Sequence, residues 1–312
     1  MKLLFVVDPL AGLKPYKDSS VAMMRAAHAR GHAVHACETG QLYVRLGSAC
    51  ADCEAIEAVA GDDWLRVLRK KEYALADFDA VIMRTDPPVD IDYLLATHLL
   101  AIAEANGARV LNKPAALRDF NEKLAILSFP QFIAPTLIAA QAVEIEAFLI
   151  EHGDIIVKPL TEMGGAGIFR LTVADPNRNA ILETLTHRGR RPIMAQRYLP
   201  AISEGDKRIL LIAGEVVPWA LARIPKAGET RGNLAAGGTA HAQPLSARDR
   251  EIAEAIAPWA QVNGIFLAGL DVIGDSLTEI NVTSPTGFQE ITAQTGHDVA
   301  GQFIDAIERA CT

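Results

Sequence analysis

A run of acidic and amide residues near the carboxyl end carries the sharpest chemical signal. The segment Leu270–Asn281 reads LDVIGDSLTEIN, which is typical of a β-hairpin. If Gly274–Ser276 form its turn, Asp271 lies opposite Glu279, and Asn281 shares their face because strand side chains alternate; a turn of two residues would break this register. Facing carboxylates repel unless a cation lies between them, and magnesium prefers oxygen ligands. The pattern predicts a metal site, with a solvated polar hairpin face as the alternative.

A lysine and a group of glycines form a second candidate. Lys158 ends the apolar run Ile155–Val157, where a lysine needs an anionic partner. Gly164, Gly165 and Gly167 follow, and glycine lets backbone N–H groups approach phosphate oxygens. The segment is neither a Walker A loop nor a dinucleotide fingerprint, because a strand pattern follows it. It indicates either a loop that covers a nucleotide or an ordinary glycine-rich turn.

Several arginines stand where a dry cleft would hold them. Arg208 and Arg223 flank adjacent apolar strand patterns. Arg231 and Asn233 lie in the glycine-containing loop Ile224–Ala240, which is long enough to be functional. Guanidinium groups in such places bind carboxylates or phosphates. Each arginine taken alone is equally typical of a surface salt bridge, which contributes little.

Two other basic residues differ in how strongly their positions indicate a binding role. Arg84 stands between a buried strand pattern and two prolines, and it is a candidate for binding a substrate carboxylate. Lys123, taken alone, is more typical of a solvated helix lysine. The histidines form no metal-binding or triad pattern and no GxSxG motif occurs, so catalysis by a nucleophilic serine or cysteine is not expected. The remaining groups favour phosphoryl chemistry by charge neutralisation.

Alternating strand and helix patterns position these residues in the N-terminal third. Apolar runs predict four strands: Leu3–Val7, Ala33–Cys37, Ala80–Met83 and Arg109–Leu111. Helices are predicted between them at residues 18–30 and 91–105. This alternation is typical of a parallel sheet, in which ligands lie beyond the carboxyl ends of the strands. We expect Asp8, Arg84 and Asn112–Lys113 at that edge.

The remaining two thirds of the chain predict two further groups of strands. The first group is Thr136–Ala140, Asp154–Lys158, Ile168–Val173 and Pro192–Tyr198. The second group is Arg208–Ala213, Glu215–Arg223, Ile265–Ile273 and Leu277–Val282. Helices are predicted at 142–152 and 247–262, with further helices at the carboxyl end. The fold class is therefore α/β.

Composition excludes several classes of protein. The chain has 312 residues, half of them hydrophobic, which suits roughly two globular domains and excludes a disordered chain or a fibre. Its net charge of −8 argues against a nucleic-acid groove. No apolar run approaches the roughly 20 residues that span a bilayer, so we expect a cytoplasmic protein without membrane partners. Cys50 and Cys53 lack the second pair that a zinc site needs, and we expect reduced thiols.

Long stretches of the chain match a known family almost end to end. They are DPLAGLKPYKDSS, MRTDPP, LNKPAALRDFNEKL, IIVKPL with MGGAGIF, MAQRYLPAISEGDKRIL, ALARIP with GETRGNLAAGG, and GLDVIGDSLTEINVTSPTGFQEI. On these motifs the chain resembles the prokaryotic glutathione synthetases of the ATP-grasp superfamily. The last three stretches are long and unusual enough to be specific, whereas the glycine loop alone is not.

The resemblance implies a role for each matching residue. The ATP-binding positions of the family fall on Lys123, Lys158, Gly164, Gly165, Gly167, Gln196, Arg197, Tyr198, Leu199 and Asp206. Its magnesium ligands fall on Asp271, Glu279 and Asn281. Its catalytic positions fall on Lys158, Arg208 and Arg231, the last in a loop expected to close over the reaction. Its substrate-binding positions fall on Arg84, Arg223, Asn233, Ser284 and Thr286.

The resemblance also implies an architecture and an activity. An N-terminal parallel-sheet domain at 1–120 would precede a two-part ATP-grasp fold, with a lid domain at 121–199 and a catalytic domain at 200–312. The expected reaction joins γ-glutamylcysteine and glycine through an acyl phosphate, with ATP as co-substrate and Mg²⁺, or alternatively Mn²⁺, as the metal. Small molecules are the expected partners, and a homo-oligomer, either a dimer or a tetramer, is the expected assembly.

Two alternatives and a few departures from the family stay open. The chain would be another ATP-grasp ligase if its acid or amine substrate differed, or a nucleotide-binding module if it had no turnover. Gly287–Gln289 stands where some relatives carry a bulkier and a basic residue, and Thr239 and His241 stand where some carry basic ones. None of these positions is assigned to metal or nucleotide.

Overall fold

The computed structural model describes residues 1–226 and 238–312, whose strands form three sheets. The first sheet contains β1 (Lys2–Val6), β2 (Ala33–Cys37), β3 (Leu42–Arg45), β4 (Ser48–Ala58), β5 (Leu65–Ala74), β6 (Ala80–Met83) and β7 (Val110–Leu111). The second contains β8 (Thr136–Ala139), β9 (Asp154–Pro159), β10 (Phe169–Thr172) and β11 (Ile193–Arg197). The third contains β12 (Asp206–Ile212), β13 (Glu215–Ile224), β14 (Thr239–Pro244), β15 (Leu267–Ile273) and β16 (Ser276–Asn281).

The helices in the described residues follow the predicted positions and add two that the sequence did not indicate. They are α1 (Ser19–Ala29), α2 (Ile91–Ala105), α3 (Pro114–Asp119), α4 (Ala142–His152), α5 (Arg178–Leu185), α6 (Ala247–Val262), α7 (Phe288–Thr295) and α8 (Val299–Cys311). Asp18 begins α1, where its side chain accepts hydrogen bonds from the backbone N–H groups of Ser20 and Val21. The short helices α3 and α5 are the two that were missed.

The first sheet has the parallel core that the alternation predicts. Strands β2, β1, β6 and β7 are parallel neighbours in that order. Three antiparallel strands extend it, because β4 pairs with β2 and both β3 and β5 pair with β4. These strands were missed. Seven residues of β5, Arg66–Glu72, are exposed on both faces, so its sequence LRVLRKKEYA shows neither an apolar run nor alternation.

The second sheet is a small antiparallel layer with the order β10-β9-β11-β8. Helices α4 and α5 cover one face, where Ile145, Leu149 and Leu182 pack on Ile155 and Val157. The loop that contains the glycines joins β9 to β10. Its connection of two neighbouring strands is the arrangement that the sequence predicted.

The third sheet contains the hairpin of the predicted metal residues, and its turn differs from the expected one. Ile273 pairs with Ser276, so the turn has two residues rather than three. A register shift between Asp271 and Val272 follows, however, and it restores the pairing of Asp271 with Glu279. A β-bulge adds one unpaired residue and so moves the register by one. The predicted pair is therefore formed, although the predicted turn is wrong.

Asn112 fastens the first sheet to the third. Its Nδ2 donates to the carbonyl oxygens of Leu267 and Val282 at 2.8 and 2.6 Å. Its Oδ1 accepts from the backbone N–H groups of Phe266 and Leu267 at 2.6 and 2.8 Å. Because these bonds occupy both the donor and the acceptor of the amide, Asn112 is a structural residue. Asn112–Lys113 follows the carboxyl end of β7, as expected, but neither residue lines the large cavity of the protein.

The cysteines lie in or beside the first sheet and are free. Cys50 and Cys53 are three residues apart on β4, so their side chains point to opposite faces of the sheet. A hydrogen bond with the Cys53 thiol, together with burial, raises the pKa of Cys37 well above its ordinary value. Both cysteines belong to the mostly buried strand β4. Among the described helices, none has the length and apolarity that crossing a bilayer requires.

Candidate active site

A cavity of about 720 Å³ lies where the second and third sheets face each other, and the loop after β1 closes one end of it. Strand β9 and the glycine loop form one wall, and β12, β13, β15 and β16 form the opposite wall. Asp8 and Asp86 from the first sheet's loops complete the lining. All three layers therefore contribute side chains to one space.

The predicted metal residues meet on the wall formed by β15 and β16. Asp271 is 3% exposed, and the Nδ2 of Asn281 donates to its Oδ2 at 3.2 Å. Glu279 is the cross-strand neighbour of Asp271 and is partly exposed to the cavity. Burial by itself would raise the pKa of Asp271, but the guanidinium groups of Arg208 and Arg223 outweigh it and hold that pKa below its ordinary range. Asp271 is therefore a buried carboxylate that stays ionised.

Both predicted arginines of the third sheet contact this carboxylate. Arg208 donates from Nε and Nη2 to the two carboxylate oxygens of Asp271, at 2.5 and 2.9 Å. Arg223 lies 2.9 Å from Asp271 Oδ2 and 2.5 Å from Asp206 Oδ2. Burial raises the pKa of Asp206 to about 6, in spite of Arg223. Asp206 Oδ1 is buried and has no hydrogen-bond partner among the described residues.

Two lysines lie close to Glu279: Lys158 on β9 of the opposite wall, and Lys123 in the turn that is hydrogen-bonded to β16 through the backbone of Glu122. Lys158 Nζ lies 3.4 Å from Glu279 Oε1 and 3.3 Å from the carbonyl oxygen of Thr278. Lys123 Nζ lies 3.8 Å from the same Glu279 oxygen and contacts the carboxylate of Glu122. Burial would lower the pKa of Lys123, but Glu279 and Glu122 raise it. Lys123 is 2% exposed and lies in a turn, so its reading as a solvated helix lysine is wrong.

The glycine loop divides into residues that line the cavity and one that shapes the loop. Gly164 and Gly165 line the cavity, whereas Gly167 does not. Gly167 has φ of +69°, and a Cβ there would lie 2.8 Å from Cγ of Pro159. This combination of backbone conformation and close contact requires glycine. Gly167 therefore fixes the path of the loop.

The part of the cavity at the end of β11 is called the slot. It is lined by Gln196, Arg197, Tyr198 and Leu199, together with the apolar side chains of Ile156, Ile202 and Ile273. Gln196 is buried and donates from Nε2 to Thr136 Oγ1 at 3.0 Å. The backbone N–H of Tyr198 donates to the carbonyl oxygen of Asp154 at 3.0 Å. Apolar walls with backbone polar groups at the rim suit a flat heterocyclic ligand.

The predicted substrate residues take different positions. Ser284 and Thr286 line the cavity, and Ser284 Oγ donates to Asp86 Oδ1 at 2.5 Å. Arg84 does not line it: it is 4% exposed and donates to Ser20 Oγ at 3.0 Å and to the carbonyl oxygen of Pro285 at 3.1 Å. In this structure Arg84 supports the wall from behind. Arg231 and Asn233 lie outside the described residues.

Several carboxylates that line the cavity escaped the sequence analysis, and three of them have distinctive surroundings. Glu122 is buried beside Lys123, and burial together with Glu279 raises its pKa. Asp86 accepts from Ser284, and Glu290 lines the cavity with one buried carboxylate oxygen that has no partner among the described residues. The position of Glu122 beside a predicted ATP-binding lysine was the one available signal. Asp86 and Glu290 gave none, because each meets its neighbours only in the folded chain.

The donor set on β15 and β16 fits a hard divalent cation. Asp271, Glu279 and Asn281 offer carboxylate and amide oxygens on one face. No group of three or more histidine, cysteine, aspartate or glutamate side chains among the described residues could hold a metal by itself. Magnesium commonly takes one or two protein carboxylates and completes its shell with waters and substrate phosphates. The set therefore suits a cation that arrives with a phosphate ligand.

Family models and curated relatives match this sequence over nearly its whole length. The family model described as "Prokaryotic glutathione synthetase, N-terminal domain" matches residues 1–118, and the model described as "Prokaryotic glutathione synthetase, ATP-grasp domain" matches residues 122–296. The glutathione synthetase of Neisseria meningitidis serogroup A is 59% identical over 98% of each chain. That of Ralstonia nicotianae is 56% identical over 99% of this chain and 96% of its own.

Among solved structures, D-cycloserine synthetase DcsG aligns with a TM-score of 0.69 over 99% of this chain and 100% of its own, at 14% identity. The ATP-grasp ligase PsnB in complex with a precursor, Mg and ADP aligns with a TM-score of 0.63 over 99% of this chain and 98% of its own, at 18% identity. At these identities the likeness shows the fold alone.

Proposed function

Because the chain belongs to the prokaryotic glutathione synthetase family, it is an ATP-dependent ligase of glutathione synthesis, and we propose roles for the residues of its cavity. The reaction joins γ-glutamylcysteine and glycine and converts ATP to ADP and phosphate. One observation supports the roles: four basic groups and the acidic pair meet around a single cavity. They are Lys123, Lys158, Arg208, Arg223, Asp271 and Glu279.

The charges of the cavity suit the chemistry of carboxylate activation. A carboxylate is a poor electrophile, because its charge repels nucleophiles and oxide is a poor leaving group. Transfer of the γ-phosphoryl group to the dipeptide carboxylate gives an acyl phosphate, which the glycine amine attacks with loss of phosphate. Negative charge develops on the transferring group and on the tetrahedral intermediate. Lys158 and Arg208 are the groups that we assign to stabilise it.

The nucleotide occupies the space between the second and third sheets in this proposal. The base lies in the slot lined by Gln196, Arg197, Tyr198 and Leu199, near Asp206. The phosphates lie under Gly164 and Gly165, with Lys123 and Lys158 as their counter-charges. Gly167 contributes through the shape of the loop.

Asp271, Glu279 and Asn281 are the residues that would hold Mg²⁺, or Mn²⁺ as an alternative. When bound, such an ion supplies positive charge that offsets the phosphate charge. The three side chains orient their oxygens, and Asn281 keeps the Asp271 carboxylate in place through its hydrogen bond.

The dipeptide is expected at the end of the cavity nearest the first sheet. Ser284 lies there, since it donates to Asp86, and Arg84 holds the neighbouring segment through the carbonyl oxygen of Pro285. We assign Thr286 and Arg223, which line the same cavity, to the dipeptide as well. For Arg231 and Asn233 the assignment rests on the resemblance to the family. We assign to their loop the role of excluding water from the acyl phosphate.

The wider organisation follows the family in the same way. We assign the first domain to 1–120, the lid to 121–199 and the catalytic domain to 200–312. We further place the protein in the cytoplasm as a homo-oligomer, a dimer or a tetramer, that acts on small molecules and has no nucleic-acid or membrane partner.

Phosphate release by the purified protein tests the assignment. With MgATP, γ-glutamylcysteine and glycine, we expect release of one phosphate for each glutathione formed, detected by mass spectrometry. The variant Lys158→Met should lose this activity, and Lys70→Met, at an exposed lysine of β5, should keep it. Turnover with a different acid or amine, and none with these substrates, would contradict the substrate assignment. Unchanged turnover in Lys158→Met would contradict the residue roles.

A further inference from the structure

Three neighbouring strands of the second sheet bring three side chains into contact beside the slot. Arg170 lies on β10, three residues after Gly167. Asp154 begins β9, and Tyr198 follows the last residue of β11. Since β9 lies between β10 and β11, the three side chains gather at one end of the sheet.

The contact is a stack with a clamped cation. The guanidinium carbon of Arg170 lies 3.7 Å from the centroid of the Tyr198 ring. The same guanidinium donates from Nε to Asp154 Oδ1 at 3.0 Å and from Nη2 to Oδ2 at 2.6 Å. The backbone carbonyl oxygen of Asp154 also accepts a hydrogen bond from the backbone N–H of Tyr198 at 3.0 Å. Asp154 therefore holds both the backbone of Tyr198 and the cation that covers its ring.

This stack links the segment that lines the slot to the strand that follows the glycine loop. Tyr198 stands between Arg197 and Leu199, and all three line the cavity. Arg170 belongs to the strand that continues from the glycine loop, whose Gly164 and Gly165 also line the cavity. A fixed Tyr198 ring therefore fixes the backbone segment at the slot relative to the end of the glycine loop.

The exposure of Arg170 and Asp154 shows whether their contact contributes to the stability of the fold or to the orientation of Tyr198. The side chains of Arg170 and Asp154 are 41% and 31% exposed, so their ion pair by itself adds little to stability. A cation over an aromatic face has a defined geometry, however, and restricts the ring. The expected gain is in the orientation of Tyr198 more than in the stability of the fold.

We propose that Arg170 is a positioning residue for the nucleotide base, acting through the Tyr198 ring and held in place by Asp154. The inference rests on the proposed binding of ATP in this slot. It requires that loss of the stack weakens nucleotide binding while the phosphoryl chemistry, which takes place at the opposite end of the nucleotide, stays as it was.

The variant Arg170→Met removes the cation and keeps an unbranched stem. Because an exposed cation–π contact is worth roughly two- to fivefold in an equilibrium constant, we expect the Kd for ADP and the KM for ATP to rise by about that factor. The kcat and the KM for γ-glutamylcysteine should not change. Arg191→Met, at an exposed arginine two residues before β11, is the matched control and should leave all four constants unchanged.

A double-mutant cycle with Tyr198 tests the route of the effect. Tyr198→Leu should weaken ADP binding at least as much as Arg170→Met, and the double variant should be no worse than Tyr198→Leu alone, because Arg170 acts through the Tyr198 ring. Arg170→Lys keeps the cation, so it should bind ADP nearly as tightly as the parent. Arg170→Gln removes the charge but keeps a polar side chain, and it provides the test if Arg170→Met does not fold.

Calorimetric titration with ADP decides between the outcomes. Equal affinity of the parent and Arg170→Met, or additive losses in the double variant, would overturn the inference and leave the nucleotide slot intact. A parallel loss of kcat and thermal stability without a selective change in ADP affinity would also overturn it, because that result describes a structural role. Absence of ADP binding by the parent would refute the proposed slot itself.

Discussion

Replacement of Asp271 by asparagine should destabilise the protein as well as inactivate it. The carboxylate is 3% exposed and accepts from Arg208 at 2.5 and 2.9 Å, with Arg223 also 2.9 Å away. Asparagine keeps the shape but leaves Arg208 without a carboxylate partner among the described residues. Removing one member of a buried ion pair costs about 3–5 kcal/mol. At about 2–4 °C per kcal/mol for large domains, the melting temperature should fall by roughly 10 °C.

Glu279→Gln is the matched control, because it also removes a carboxylate from the proposed metal site. The Glu279 side chain is 20% exposed, and its lysines lie farther away, at 3.4 and 3.8 Å. We expect about 1 kcal/mol of destabilisation for this partly solvated contact. Both variants should lose magnesium-dependent activity, and only Asp271→Asn should lose much stability.

The pH dependence of this difference follows from the direction of the Asp271 pKa. Burial would raise that pKa, but Arg208 and Arg223 hold it below the ordinary 3.8. A lowered carboxylate pKa contributes stability that is present above the unfolded value and is lost only as pH falls through the folded value. The difference between the parent and Asp271→Asn should therefore stay constant from about pH 6 to about pH 8.

Thermal and denaturant unfolding, followed by circular dichroism, measure these effects. The double variant Asp271→Asn with Arg208→Met should be more stable than Asp271→Asn alone, because it removes the uncompensated cation. A melting temperature of Asp271→Asn no lower than that of Glu279→Gln would refute the reasoning. It would show that the buried charge network does not hold the third sheet together.

Burial raises the pKa of Asp206 to about 6, so this group favours folding at low pH and the benefit is lost as pH rises through 6. In denaturant titrations, Asp206→Asn should therefore gain about 3 kcal/mol relative to the parent between about pH 4 and about pH 7, and a constant difference would contradict this. Gly167→Ala should weaken ADP binding in calorimetry, since its methyl group would meet Pro159, whereas Gly40→Ala, in open space, should not; equal affinities would contradict the close contact. With a thiol reagent, the native protein should show rapid reaction of Cys311 alone and reaction of the three buried cysteines only on unfolding; more than one rapidly reacting thiol would contradict their burial.

The sequence by itself determined the elements and the residue types of the site. Apolar runs and capping residues located most strands and helices within one or two residues, because these features depend on neighbours along the chain. They failed at β3, β4 and β14, the last of which begins inside the predicted loop Ile224–Ala240. They also failed at β5, whose two faces are mostly exposed and which carries no hydrophobic pattern. They also failed for Lys123, because the groups that bury it come from β16 and the glycine loop.

Tertiary structure alone decided how these groups meet. The pairing of Asp271 with Glu279 survives a turn of unexpected length only because a bulge corrects the register. Arg84, which a local reading places at the substrate, lies behind the wall with its guanidinium on Pro285. The sequence shows which charged residues the chain contains. Whether each of them is buried, and which partner it has, depends on side chains more than a hundred residues apart, as Lys158 and Glu279 are. Such contacts form only when the sheets pack against each other.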